Sequence, residues 1–166
     1  YALNRRTGAS AFSIPDPRFD WNGWSMQLAP VQGSHDDVLA IHNGRLLSFD
    51  IPGRSIRYEL SSGFVGQPTV ADDTVYAIQN GALVALDEAT GTLKWSWSAP
   101  SGALEEAVVA TRTHVFASTT SQTYAVEVLS HSQSWSYPRA GHLALGAETL
   151  YIASRTNGVL TAIAMP

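Results

Sequence analysis

The sequence predicts an all-β protein, a β-propeller of four-stranded antiparallel blades with about four blades in the chain. One pattern recurs through it: a hydrophobic residue, an acidic or amide residue, a turn, and an aromatic residue eight positions after the acidic or amide one. Successive hydrophobic residues of this pattern are 46, 37, 40 and 37 positions apart. A period of about 40 residues, made of short β-type runs, is typical of blade arrays. The copies are Leu3-Asn4…Phe12, Phe49-Asp50…Tyr58, Leu86-Asp87…Trp95 and Val126-Glu127…Trp135, and Ile163 begins a fifth.

The clearest copy of the repeat spans residues 66–97. Asn80-Gly81 predicts a two-residue hairpin within it, because both central positions of a type I′ turn require a positive φ. The alternating polarity before that dipeptide predicts a half-buried strand. The unit is therefore a four-stranded antiparallel meander. Its predicted strands are residues 67–71, 74–79, 82–86 and 92–97, with turns at 71–73 and 87–91.

The other copies align on the same hairpin. Asn43-Gly44 and Asn157-Gly158 repeat it, and Thr120-Ser121 takes its place in the fourth copy. The hydrophobic residue of the pattern lies five positions after the second hairpin residue in every case. The last copy carries two extra hairpin residues, Arg155-Thr156. Because independent markers keep one register, they predict a series of similar blades.

The fourth-strand aromatic residues predict how the blades pack. One four-stranded meander cannot bury both of its faces alone, whereas blades stacked around an axis bury them against each other. Each large ring buries roughly 150–250 Å², so we expect these rings to form the contact between blades. They are Phe12, Tyr58, Trp95 and Trp135, and replacing Trp95 by Ala would cost about 3–5 kcal/mol if its ring is fully buried.

We predict that residues 1–166 form one propeller segment with an irregular, aromatic-rich insertion at residues 13–30. Two arrangements of the ends are open. Residues 8–13 complete the last blade and close a small four-bladed ring, or the chain is part of a larger propeller. We favour the second, because both ends cut through a blade unit. The predicted units are about residues 1–13, 31–60, 66–98, 106–137 and 141–166.

Composition excludes several classes of function. A formal net charge of −4 and a pI of about 5.6 argue against nucleic acid as a partner, because phosphate binding draws on clustered Lys and Arg. The chain has no cysteine, so it offers neither a disulfide nor a thiolate. No run approaches the ~18 apolar residues of a membrane-spanning helix, so we predict no membrane span.

The remaining polar residues predict no catalytic, cofactor-binding or metal-binding site. Asp36-Asp37 and Asp72-Asp73 fall in corresponding turns, where Asp hydrogen-bonds its own backbone, and no Asp-x-Asp-x-Asp-Gly loop offers a calcium site. The five His residues show no ligand spacing such as His-x-x-x-His. Hydrolase chemistry has no support either, since a Gly-x-Ser-x-Gly elbow is absent from the sequence.

The insertion contains the one feature that the repeat does not explain. Phe19, Trp21 and Trp24 lie within six residues, beside Asp20 and Asn22. Such a cluster forms a stacking platform for a sugar ring or an anchor for a protein partner. The alternative is that the rings cover the end of the propeller or pack against the first blade. We take Phe19, Trp21 and Trp24 as the candidate partner contact.

The segment Ala85-Leu86-Asp87-Glu88-Ala89-Thr90-Gly91-Thr92-Leu93-Lys94-Trp95 resembles the tryptophan-docking motif of the PQQ-like β-propeller superfamily. Residues 2–12 are similar, with Asn4 for Asp and Phe12 for Trp, and the copies at 48–58 and 125–135 lose the Thr-Gly pair. The resemblance implies a propeller, often exported, that acts as a quinoprotein dehydrogenase or as a scaffold of the outer-membrane-assembly type. The quinoprotein enzymes of the superfamily hold their cofactor over a Trp platform with a Ca²⁺ ion, and we find no matching carboxylate set.

We therefore expect a non-catalytic binding or scaffolding module that mediates protein–protein interaction. Its recognition surface is expected at blade edges and inter-blade loops, with β-augmentation as one mode. The resemblance alone implies a bacterial, extracytoplasmic location, periplasmic or secreted. Two alternatives stay open: a fragment of a PQQ-dependent quinoprotein dehydrogenase, and a carbohydrate-binding propeller that uses Trp21 and Trp24.

Overall fold

The computed structural model describes residues 1–18 and 30–165. Within these ranges the chain forms strands joined by turns and contains no helix, which confirms the predicted all-β class. The strands are β1 (Ala2–Leu3), β2 (Ser10–Phe12), β3 (Val31–Gln32), β4 (Asp37–His42), β5 (Arg45–Asp50), β6 (Ser55–Leu60), β7 (Phe64–Ala71), β8 (Thr74–Gln79), β9 (Ala82–Asp87), β10 (Leu93–Trp97), β11 (Glu105–Ala110), β12 (His114–Ser118), β13 (Thr123–Glu127), β14 (Ser132–Tyr137), β15 (His142–Leu145), β16 (Thr149–Ala153) and β17 (Leu160–Ala164).

The strands form five antiparallel sheets in chain order, and each strand pairs with its neighbour in sequence. Sheet A contains β1 and β2, sheet B β3 to β6, sheet C β7 to β10, sheet D β11 to β14, and sheet E β15 to β17. Sheets B, C and D are thus the four-stranded antiparallel meanders that the repeat predicts. In the described part of the chain, no strand pairs with the outer edge of β17.

The hairpins between second and third strands follow their sequences. Both residues of Asn43-Gly44 and of Asn80-Gly81 have positive φ angles, 48° and 73° in the first and 51° and 78° in the second. This confirms the predicted two-residue turns. In sheet D the amide of Thr119 donates to the carbonyl of Gln122 across a turn of the same length (2.8 Å). The last hairpin is longer, as its two extra residues predict, and the Ser154 amide donates to the Val159 carbonyl (2.9 Å).

The apolar core lies between successive sheets rather than in one central mass. Along β8, Val75 and Ala77 pack in the cluster shared with sheet B, whereas Tyr76 and Ile78 pack in the cluster shared with sheet D. Alternate side chains of a strand point to opposite faces, so one strand supplies two interfaces. A third cluster joins sheets D and E through Phe116, Ala125, Leu150 and Ile152. This stacking of sheets face to face is the predicted propeller arrangement.

The two chain ends do not combine into one blade. The arrangement in which residues 8–13 complete the last blade requires β2 to pair with β17, but β2 pairs with β1. Sheet A instead packs beside sheet B, where Tyr1, Ala2 and Phe12 share an apolar pocket with Val38 and Phe49. The four-bladed ring closed by residues 8–13 is therefore not formed in this structure.

Candidate functional site

The aromatic side chain of a fourth strand contacts the turn between the third and fourth strands of the next sheet. The contacted residue lies four positions after the acidic residue of that turn, and its φ is positive, between 51° and 72°. Counted from the acidic residue of a turn, the fourth residue receives the ring of the preceding sheet. The eighth residue is the aromatic one that contacts the following sheet. The pairs are Phe12 with Arg54, Tyr58 with Gly91, and Trp95 with His131.

These contacts give the repeated aromatic residues a structural role. Tyr58, Trp95 and Trp135 pack against the clusters between sheets B and C, C and D, and D and E respectively, which confirms the predicted inter-blade contact. Trp95 is half-buried, and its ring stacks on the exposed ring of His131.

The acidic residue of the repeat orders its turn. Asp87 Oδ1 accepts hydrogen bonds from the Thr90 amide (3.0 Å) and the Thr90 hydroxyl (2.8 Å). These bonds hold the pKa of Asp87 below its usual range. In sheet A, Asn4 Oδ1 accepts from the amides of Arg6 (2.9 Å) and Thr7 (3.2 Å) in the same way. The position therefore serves turn formation, and an amide does this as well as a carboxylate.

A partly buried ion network lies where the segment after sheet A meets sheet B, and we call it the ionic anchor: Asp16, Arg18, His42, Arg45 and Glu59. The Arg45 guanidinium donates to both carboxylate oxygens of Asp16 (2.5 and 3.2 Å) and to Glu59 (3.0 Å). The side chains of Asp16 and Arg45 are only 9% and 10% exposed. Arg18 forms a further ion pair with Glu59, and its carbonyl accepts from Arg45 (3.2 Å).

The charged partners in the ionic anchor shift the pKa values of Asp16, Arg45 and Glu59. Burial alone raises the pKa of Asp16, but the hydrogen bond from Arg45 and its charge outweigh that effect, so the pKa is lowered. The hydrogen bond to Asp16 raises the pKa of Arg45. Arg18 lowers the pKa of Glu59. These three shifts all favour the ionised forms of Asp16, Arg45 and Glu59, and the network ties residues 16–18 to sheet B.

The predicted contact residues Phe19, Trp21 and Trp24 lie outside the described residues. Both flanks of their segment are described, however. Before it, Asp16 and Arg18 belong to the ionic anchor on sheet B. After it, β3 pairs with β4, with Val31 opposite Leu39. The described residues on both flanks of the aromatic segment thus contact or belong to sheet B.

A second polar cluster lies between sheets B and C and includes a residue that sequence reasoning missed. Glu88 is 0% exposed, yet it follows the repeat's acidic residue in an otherwise polar turn, so no sequence signal marks it as buried. The interpretation of Asp36, Asp72 and Asp73 as turn residues agrees with their positive φ angles. For Asp37 the same interpretation is wrong, because it lies in β4 and is 1% exposed.

The same cluster contains the one grouping of potential metal ligands among the described residues. One ligand atom each from His35, Asp73 and Glu88 lie within 4.8 Å of one another. The spacing rule for histidine ligands could not find them, because the turns of two sheets contribute them. Glu88 and His35 are 53 positions apart in sequence.

Among the described residues, no helix is long and apolar enough to cross a membrane.

Comparison with known proteins identifies the repeat. Residues 1–156 match the model of the PQQ_2 family, described as outer membrane protein assembly factor BamB. None of the curated protein sequences matches the chain.

Solved structures share the fold at low sequence identity. BamB from Moraxella catarrhalis superposes with a TM-score of 0.61 at 20% identity over 80% of this chain and 45% of that one. The computationally designed protein Ika4 superposes with a TM-score of 0.71 at 13% identity, over 86% of this chain and 93% of its own. For the designed protein Ika8 the TM-score is 0.68 at 12% identity, over 84% of this chain and 46% of its own. The chain thus spans about half the length of the BamB structure.

Proposed function

The chain belongs to the PQQ_2 family, described as outer membrane protein assembly factor BamB, and from this premise we propose that it is a non-catalytic propeller module that binds a protein partner. We place this function outside the cytoplasm of a bacterium, because the family description names outer-membrane assembly and a similar solved structure is BamB of Moraxella catarrhalis. The blade units of the proposal are those that the sequence predicts.

One observation carries the proposal: both flanks of the aromatic segment are fixed to sheet B. The segment enters through the buried Asp16–Arg45 ion pair and returns through the pairing of Val31 with Leu39. Anchored flanks reduce the conformational entropy that a binding segment loses on association. Trp is enriched among the residues that dominate binding energy at protein interfaces. We therefore assign partner contact to Phe19, Trp21 and Trp24.

The repeated aromatic residues are occupied elsewhere, which singles out the segment further. Tyr58, Trp95 and Trp135 pack between sheets. The aromatic residues of the insertion have no place in the repeat and are available, in this proposal, for a ligand. A family scaffold without a role for these rings would leave two Trp residues in one short segment unexplained.

Photocrosslinking in the native host tests the proposal. A photoreactive phenylalanine analogue replaces Trp21 in one variant and Tyr1 in another. Tyr1 is 98% exposed, immediately precedes β1 and lines a pocket beside sheet B, so it is the control position. We expect one discrete crosslinked protein from position 21 and none from position 1. Equal or absent crosslinking at the two positions contradicts the proposal.

A binding measurement then separates contact from packing. With the crosslinked partner purified, Trp21→Ala and Trp24→Ala together are expected to weaken binding at least about 30-fold, the effect of losing about 2 kcal/mol at an interface hot spot. The melting temperature should stay within about 2 °C of the parent. A large fall in melting temperature would show that the rings belong to the core. If the parent chain binds a sugar on a glycan array and the double variant does not, the carbohydrate alternative is established instead.

A further inference from the structure

The cluster between sheets B and C concentrates buried negative charge at one point. Asp37 and Glu88 are 1% and 0% exposed, and a Cβ built on Gly33 would collide with an oxygen of each carboxylate. The two carboxylates therefore share the space beside Gly33. Isolated carboxylates are strongly destabilised in such a place unless a cation or hydrogen bonds compensate them.

The hydrogen bonds around these carboxylates leave two oxygens without partners. Glu88 Oε1 accepts from the Ser34 amide, and Asp37 Oδ2 accepts from the Ser48 hydroxyl (3.0 Å). Glu88 Oε2 and Asp37 Oδ1 are buried and have no hydrogen-bond partner among the described residues. Arg57 Nη1 lies 3.9 Å from Asp37 Oδ2, the oxygen that already accepts the Ser48 hydrogen bond. An unsatisfied buried carboxylate oxygen is rare and requires an explanation.

The side of this cluster that faces solvent carries an imidazole. His35 Nε2 lies 3.0 Å from Asp73 Oδ1, and these side chains are 46% and 69% exposed. Two ligands at about 2.1 Å from a zinc ion lie about 3.0–3.5 Å apart, so this pair already has the separation that a shared ion requires. The exposed pair also gives an ion a path from solvent to Glu88.

We propose that His35, Asp73 and Glu88 bind a divalent transition-metal ion, beside the buried carboxylate of Asp37. A nitrogen ligand combined with carboxylates favours Zn²⁺ over Ca²⁺ or Mg²⁺, which select oxygen ligands. The ion provides the positive charge that the buried oxygens lack. Because His35 belongs to the turn that precedes β4 in sheet B, and Asp73 and Glu88 belong to turns of sheet C, the ion ties two successive sheets together.

Zinc titration of the whole chain, purified without a histidine tag, tests the site. By isothermal titration calorimetry we expect one Zn²⁺ ion per chain, bound at least tenfold more tightly than Ca²⁺ or Mg²⁺, and a higher melting temperature with Zn²⁺. Glu88→Gln and His35→Ala should each weaken Zn²⁺ binding at least tenfold. His142→Gln and Glu148→Gln are the matched controls, because both residues are exposed and lie in sheet E or its turn; they should leave binding unchanged.

Two results overturn the proposal. One is Zn²⁺ binding that Glu88→Gln and His35→Ala leave as tight as in the parent, since adventitious histidines would then be responsible. The other is the absence of Zn²⁺ binding by the parent chain. His35→Ala keeps the test decisive if Glu88→Gln fails to fold, because the His35 side chain is 46% exposed.

Discussion

The indole ring of Trp95 in sheet C stacks on the imidazole of His131 in sheet D, with ring centroids 4.8 Å apart and planes inclined by 19°. His131 has a φ of 55°, and it occupies the position that Gly91 holds in sheet C, four residues after the acidic residue. A non-glycine residue rarely adopts this backbone conformation. The stacking contact thus compensates for a backbone conformation that glycine would adopt more easily.

A double-mutant cycle measures this contact. We expect Trp95→Ala to lower the free energy of unfolding by about 2–3 kcal/mol, less than for a fully buried Trp because the ring is half-buried. His131→Ala should cost less, and the coupling energy between the two changes should be about 0.5–1.5 kcal/mol, the range for ring pairs. Urea unfolding of the four proteins gives the value. Strict additivity would show that the stack contributes nothing to the joint between sheets.

The corresponding contact between sheets B and C leaves no room for a side chain at position 91. A Cβ on Gly91 would lie 2.9 Å from Cδ2 of Tyr58, closer than a methyl group tolerates, and the φ of 72° is strained for alanine. We therefore expect Gly91→Ala to destabilise the protein by about 2–5 kcal/mol, the sum of backbone strain and overpacking. Thermal and urea unfolding measure the loss.

Gly8 provides the matched control for that substitution. It occupies the same position in sheet A with a φ of 69°, and a Cβ there would meet no atom within 4 Å. Gly8→Ala should therefore cost only the backbone term, about 1–2 kcal/mol. The difference between the two variants isolates the contact with Tyr58. Equal losses of unfolding free energy in the two variants would mean that the Tyr58 ring does not restrict the side chain at position 91.

The repeat was predictable because its markers lie close together in the sequence. The residues that the aromatic rings contact were not predictable. The spacing of eight between Asp87 and Trp95 identifies the docking ring from sequence alone. The residue that receives the ring is Arg54, Gly91 or His131, depending on the sheet. These three share a backbone conformation and no side-chain chemistry, so only the structure reveals their common role.

The cluster around Glu88 was not predictable for a different reason. Its members come from turns of two sheets, and the Ser34 amide and Glu88 are 54 positions apart. The sequence marks Asp37 as a turn residue because it follows Asp36, but β4 begins at Asp37 and places its side chain against sheet C. Burial of a charged residue depends on which surface packs against it, and sheet stacking decides that.

The ion pair of Asp16 with Arg45 predicts a pH-dependent contribution to stability. The pKa of Asp16 is lowered in the folded protein: burial opposes this shift, and the hydrogen bond from Arg45 outweighs it. A lowered folded-state pKa means that the contribution is fully present above the unfolded-state pKa of about 3.9 and is lost as the pH falls through the folded-state value.

Asp16→Asn should therefore reduce the free energy of unfolding by about 1.5–3 kcal/mol at pH 7. The difference should shrink as the pH falls below the unfolded-state pKa, and vanish once the pH is below the folded-state pKa. Urea unfolding at pH 7, 5 and 3 measures it, and Asp72→Asn, at an exposed turn carboxylate, should show no comparable pH dependence. A loss of equal size at pH 7 and pH 3 would place the effect of Asp16 in packing and not in its charge.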